Sequence, residues 1–245
     1  EIQLSSTLES RSYVEMTLKV LKEHGVTVSS LPDMSKFFIT RNQLPVPCSR
    51  IVPGDYSSAA FLLAAAAITS SRVTVANLEK FSLQGDRAIV EILARMGADL
   101  KVRDECIELK GTGSLEAVEL DARGIPDLAP VCAVLGCYAN GRTMIRNAKR
   151  LRIKESDRIE SLVAELNRMS AKVTAAGDDI VVEGPCKLRG AQIDSHNDHR
   201  IAMACAVAAL GAEGETEIRD AACVSKSYPK FYEDLRSLGG EIIGW

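Results

Sequence analysis

The chain has 245 residues, 46% of them hydrophobic, and a net charge of −3, so it can bury a substantial core in one large or two smaller domains and has no basic excess to recruit nucleic acid. Its longest apolar run, 59–68, is too short to cross a bilayer, and no charged-then-apolar leader opens the chain, so nothing in it points to a membrane. Seven cysteines without CxxC spacing argue for free thiols in a reducing, cytoplasmic setting, and three histidines argue against a histidine-built metal centre.

Residues 13–25 read as an amphipathic helix stopped by Gly25. Pro45 and Pro47 then break the periodicity and place a domain boundary near 45–53. Beyond it the chain repeats itself. Asp55, Asp127 and Asp198, 72 and 71 residues apart, each stand before a small-residue, apolar helix, at 59–68, 128–139 and 201–210. Helices apolar all round are buried ones. Second helices start at Gly85-Asp-Arg, Ser156-Asp-Arg and Ser227-Tyr-Pro, and each ends on small residues that lead into strands. Hairpin strands are legible at 99–102 with 106–109, and at 172–175 with 179–182. One unit is therefore helix, strand, helix and hairpin, and three units fill 53–120, 121–190 and 191–245. Gly25 lies 72 residues before Gly97, so the N-terminal helix is half a unit, which predicts that these residues are a piece of a longer protein.

Chemistry concentrates in Arg150-Leu-Arg-Ile-Lys-Glu-Ser-Asp-Arg158, four cations and two carboxylates ahead of an amphipathic run. Ser156 and Asp157 are candidate caps, and the free N–H groups of a helix start, flanked by Lys154 and Arg158, suit a phosphate or carboxylate. A solvated charged turn is the alternative for this stretch taken alone. The three apolar helices should start at one end of the domain, gathering there Asp127, Asp198, His199, Arg200, the 154–158 cluster and Lys226. Such a site offers cations for oxyanions, with Asp127 and Glu155 for proton transfer.

Gly54-Asp-Tyr-Ser-Ser-Ala-Ala, Ile125-Pro-Asp, Arg152-Ile-Lys-Glu-Ser-Asp-Arg, Asn197-Asp-His-Arg and Ser225-Lys-Ser-Tyr-Pro, in this order, resemble the 5-enolpyruvylshikimate-3-phosphate (EPSP) synthase family, and only its C-terminal portion. The resemblance implies an α/β fold, an inside-out α/β barrel domain of three units over 49–245, with residues 1–48 the last part of a second domain. It implies transfer of the enolpyruvyl group of phosphoenolpyruvate to the 5-hydroxyl of shikimate 3-phosphate, releasing phosphate, with no metal or organic cofactor. The partners it implies are the two small substrates and the missing N-terminal part, the complete enzyme being a monomer; neither nucleic acid nor membrane is expected. By the same resemblance Asp127 accepts the proton of the attacking hydroxyl, and Glu155 protonates the methylene carbon and later deprotonates the methyl. Lys154, Arg158, Arg200 and Lys226 bind the anionic groups of the donor, Lys154 also reaching the shikimate ring. His199 assists proton transfer or orients its neighbours. Ser10 meets the phosphate of shikimate 3-phosphate, and Arg150, in a Lys-Arg-Leu run that departs from many relatives, reaches its carboxylate. Ser57 and Ser58 look like the family's phosphate-binding serines, but the repeat assigns them to structure. Two alternatives stay open: an enzyme like the UDP-N-acetylglucosamine enolpyruvyl transferases, and a non-catalytic anion-binding fragment inactive alone.

Overall fold

The computed structural model describes residues 1–244; Trp245, the last residue of the expected third unit, lies outside them. The N-terminal segment comprises β1 (Ile2–Gln3), α1 (Arg11–Glu23), β2 (Val28–Ser30) and β3 (Lys36–Ile39), with an antiparallel sheet of order β1-β3-β2. No residue of α1 is buried.

The rest is built on α2 (Tyr56–Ile68), followed by β4 (Arg72–Ala76), α3 (Ala88–Arg95), β5 (Asp99–Val102), β6 (Cys106–Lys110), β7 (Leu115–Glu116) and β8 (Glu119–Asp121). Next come α4 (Ala129–Tyr138), β9 (Ala139–Arg146), α5 (Arg158–Arg168), β10 (Val173–Ala176) and β11 (Asp179–Gly184). The chain continues through β12 (Gln192–Asp194), α6 (His199–Ala209), β13 (Glu217–Arg219) and α7 (Phe231–Ser237). Helices α2, α4 and α6 pack against one another at the centre, and nearly every side chain on each is buried, as their all-round apolar sequences require. Alanine and glycine on these helices permit close approach: a Cβ on Gly136 of α4 would stand 3.0 Å from Cβ of Thr143 and 3.1 Å from Cβ of Val182 on the sheet behind it.

Two sheets cover this helical centre. In one, order β4-β6-β5, the β5–β6 hairpin stacks Leu100 beside Leu109 and pairs with β4, where Val73 faces Leu109. The other runs β10-β11-β9-β7, with β8 also paired to β9; β7 and β8 lie parallel to β9, so α4 is the crossover between parallel strands. Likewise α6 crosses between the parallel strands β12 and β13.

The third unit departs from expectation. After α7 no strand follows among the described residues, so the two-stranded β12–β13 sheet has no hairpin of its own. A groove of about 860 Å³ opens instead between α2 with β4 and α6 with β13, lined by Leu62, Ala66, Ala209 and Ile218 among others. No helix among the described residues is long and apolar enough to cross a membrane.

Candidate active site

The three repeated aspartates do different jobs. Asp55 caps α2, accepting from the N–H groups of Ser57 and Ser58, and Asp198 caps α6, accepting from the N–H of Arg200. Asp127 follows Pro126 into a one-turn 3-10 helix, Pro126–Leu128, and caps nothing, so its carboxylate is free to face the cations. Asp157 caps α5 by accepting from the N–H groups of Ile159 and Glu160. Asp157 is one of the two candidate caps read from the sequence, and its carboxylate takes two of the amides offered at that helix start.

Arg158 is the hub. It is 1% exposed, and its Nε and Nη2 donate to the two oxygens of Asp198 at 2.8 and 3.2 Å. Its Nη1 donates to Asp127 at 2.8 Å and its Nη2 also to Glu155 at 2.6 Å. Four of five guanidinium protons are thus committed to carboxylates. A cation buried this deeply needs such compensation, and three segments far apart in sequence supply it.

Around the hub lie the remaining cations. Lys154 Nζ stands 3.3 Å from Asp127, and Arg200 Nη2 stands 3.8 Å from the other Asp127 oxygen. Lys226, exposed, donates to the carbonyl of Asn197. Arg200 is the least engaged: Nη1 makes a long 3.5 Å contact with the Ser57 carbonyl, and its buried Nε has no partner. Nδ1 of His199 is buried too and lacks a hydrogen bond, lying 3.5 Å from Glu155. Two orphaned polar atoms at one cluster suit a ligand with several acceptor atoms.

Electrostatics follow from this packing. Burial alone would raise the carboxyl of Asp127, but Arg200, Lys154 and Arg158 outweigh it and hold it down to about 2. Asp198 is likewise held low, because Arg158 overcomes its burial. His199 is pushed down by burial and by the charge of Arg200, which favours a neutral ring. Glu155, Asp198 and His199 each bring one atom within 4.8 Å of the others, spacing that would suit a cation, yet Arg158 already bonds to both carboxylates and supplies the positive charge.

Ser10 and Arg150 meet at a second corner. Arg150 donates to the Ser10 hydroxyl and pairs with Glu9 at 3.3 Å, joining the N-terminal segment to the loop before α5. Two contributors, Tyr13 and Asp86, escaped sequence reasoning, and a third, Ser57, was assigned to structure alone. Tyr13, three residues after Ser10, donates from Oη to Asp127 at 3.2 Å across 114 residues. Ser57 donates from its hydroxyl to Asp86 as well as meeting Arg200 through its carbonyl. Asp86 itself is 3% exposed and raised by burial to about 6, with Ser57 and Arg200 opposing the shift. Its Gly85 neighbour was a visible signal: a Cβ there would lie 2.8 Å from Oγ of Ser12 and 2.9 Å from the Gly124 carbonyl, so only glycine lets this turn reach the site.

The family described as EPSP synthase (3-phosphoshikimate 1-carboxyvinyltransferase) matches residues 1–235. The 3-phosphoshikimate 1-carboxyvinyltransferase of Methanocaldococcus jannaschii is 40% identical over 242 residues, 99% of this chain and 56% of that protein. The protein of the same name from Clostridium acetobutylicum is 41% identical over 244 residues, again covering 56% of its length. The chain thus spans little more than half the length of these curated relatives. An EPSP synthase structure from Acinetobacter baumannii superposes with a TM-score of 0.78 at 30% identity, covering 89% of this chain and 53% of that one. The enolpyruvyl transferase NikO from Streptomyces tendae shares the fold, with a TM-score of 0.76 at 22% identity over 95% of this chain and 54% of that one. A family match over residues 1–235, together with relatives about 40% identical across the chain, shows that the chain belongs to the EPSP synthase family.

Proposed function

We propose that the cluster is one wall of an enolpyruvyl-transfer site, moving the enolpyruvyl group of phosphoenolpyruvate to the 5-hydroxyl of shikimate 3-phosphate with release of phosphate. The observation that carries the reading is the under-used cation Arg200 beside two carboxylates held by Arg158, Asp127 and Glu155, with exposed Lys226 on the Asn197 carbonyl at the start of the helix that carries Arg200. Arg200, Lys226 and Lys154 take the phosphate and carboxylate of the donor. Arg158 reaches the donor by exchanging the half-exposed Glu155 for it, and otherwise keeps the three carboxylates in register.

Asp127 is ionised and can accept the hydroxyl proton, but so low a carboxyl is a weak base. Two anionic substrates would draw Lys154 and Arg200 away from it and add negative charge nearby, which raises its basicity when a proton must be taken. Glu155 donates a proton to the methylene carbon as the hydroxyl oxygen adds to C2. It then removes a proton from the new methyl as phosphate leaves, and neutral His199 orients it. Ser10 and Arg150, already in contact, form the corner for the shikimate 3-phosphate end.

We further assign residues 1–48 to a second domain and 49–245 to a barrel-type domain of three units, with the rest of the protein supplying the opposing wall. The groove between β4 and β13 supports this, since a segment from elsewhere in the protein would complete the unit that lacks a hairpin. The test is Glu155→Gln in the protein that carries this chain. Turnover should fall about a hundredfold or more with modest change in substrate affinity, as for loss of a general acid–base. Near-normal turnover would remove Glu155 from the mechanism.

A further inference from the structure

Glu165 sits on α5 seven residues beyond Arg158, is 1% exposed, and takes no part in the cluster described above. Its two oxygens are nevertheless spoken for. Oε1 pairs with Nε2 of His196 at 3.0 Å, and Oε2 accepts from the N–H of Asp194 at 3.1 Å and lies 3.4 Å from Nε of Arg168. Asp194 and His196 belong to the turn that ends β12 and starts α6. In that turn His196 and Asn197 are consecutive left-handed residues, at φ 53° and 51°, a conformation side chains with a Cβ resist. Further bonds fix it: Asp194 accepts from the N–H of His196 at 2.7 Å, and fully buried Ser195 accepts from the N–H of Asn197 at 3.2 Å.

The turn delivers the site. The carbonyl of Asn197 holds Lys226, and Asp198 holds Arg158 and caps the helix that carries His199 and Arg200. A strained turn keeps its shape only where its surroundings over-determine it, and a buried carboxylate with three partners does so here. We propose that Glu165 is a positioning residue: through Asp194 and His196 it locks the 194–197 turn, and so sets Lys226 and Arg200 at the spacing the donor anion requires. This rests on the donor-site reading above. Helix α5 then grips the same turn twice, through Arg158 at its start and Glu165 two turns on.

The test uses the protein that carries this chain, with calorimetric titration of phosphoenolpyruvate and of inorganic phosphate, and amide hydrogen exchange across 194–198. Glu165→Leu should stay folded by circular dichroism, bind phosphoenolpyruvate about tenfold more weakly because the cations are misplaced, and exchange those amides about tenfold faster. Glu165→Gln keeps an acceptor for the Asp194 N–H and should recover most of both. Lys226→Ala should lose affinity without faster exchange, separating a lost ligand from a loosened turn. A folded Glu165→Leu with parental affinity overturns the proposal. If that variant does not fold, His196→Ala carries the test, and unchanged affinity and exchange there overturn it equally. A parent protein, opposing wall included, that binds neither anion would refute the donor-site reading, and with it the purpose assigned to Glu165.

Discussion

Arg158→Met should destabilise the chain by about 3–5 kcal/mol at pH 7, the cost of leaving buried charges without their partner. The structure says where in that range to look. Asp127 keeps Lys154 at 3.3 Å and Arg200 at 3.8 Å, so its loss is partial. Asp198 is fully buried, and beyond Arg158 it keeps the Ser156 hydroxyl at 3.2 Å and the Arg200 N–H at 2.9 Å, neither of them a charge in direct contact. Most of the cost therefore falls on Asp198, and the upper half of the range is expected. The pH dependence should change sign. In the parent, Asp127 and Asp198 lie below their unfolded values, so their contribution is full above pH ~4 and is lost as pH falls towards about 2. Without the guanidinium, burial raises Asp198, so that stability is greatest at low pH and declines as pH rises through the raised value. Urea denaturation followed by circular dichroism at pH 4.5 and 7 reads both effects, and Asp198→Asn in the Arg158→Met background should recover more than half of the loss. A change below about 1 kcal/mol at pH 7, or one independent of pH, would mean that Arg158 is not the organiser of these carboxylates.

Arg200→Ala should weaken phosphoenolpyruvate binding by about 1.5–3 kcal/mol, the worth of charge-assisted hydrogen bonds in a desolvated site, and exposed Lys226→Ala should weaken it less; parental affinity by calorimetry in both would remove them from the anion site. Asp86→Asn keeps a partner for the Ser57 hydroxyl and removes a charge that burial disfavours. Since the folded value of about 6 lies above the unfolded one, the parent should lose on the order of 2 kcal/mol relative to this variant as pH rises from 4 to 7. Parallel stability curves for the two proteins would show that Asp86 does not titrate as described.

The elements that local pattern specifies were legible. Apolar all-round stretches gave α2, α4 and α6 to within a few residues, and alternation with short polar turns gave the β5–β6 and β10–β11 hairpins. Of the acidic residues at the starts of those helices, Asp127 and Asp198 bond to Arg158, whereas Asp55 only caps α2. What a single sequence could not show was the division of labour among like residues. Asp55, Asp127 and Asp198 read alike, and only Pro126, by opening a 3-10 turn, frees Asp127 from capping. The burial of Arg158 was not legible because two of its three carboxylates, Asp127 and Asp198, come from distant segments, and only Glu155, three residues away, is a local partner. Tyr13 and Asp86 were missed for the same reason. The strands expected after α7 are absent among the described residues, and the groove beside β13 stays open.

The most direct test of the central claim is phosphate release from phosphoenolpyruvate and shikimate 3-phosphate, measured with this chain in the presence of the rest of the protein that carries it. Release should require shikimate 3-phosphate, should disappear with Asp127→Asn, and should not be supported by UDP-N-acetylglucosamine as acceptor. Release unaffected by Asp127→Asn, or supported by the nucleotide sugar instead, would contradict the account.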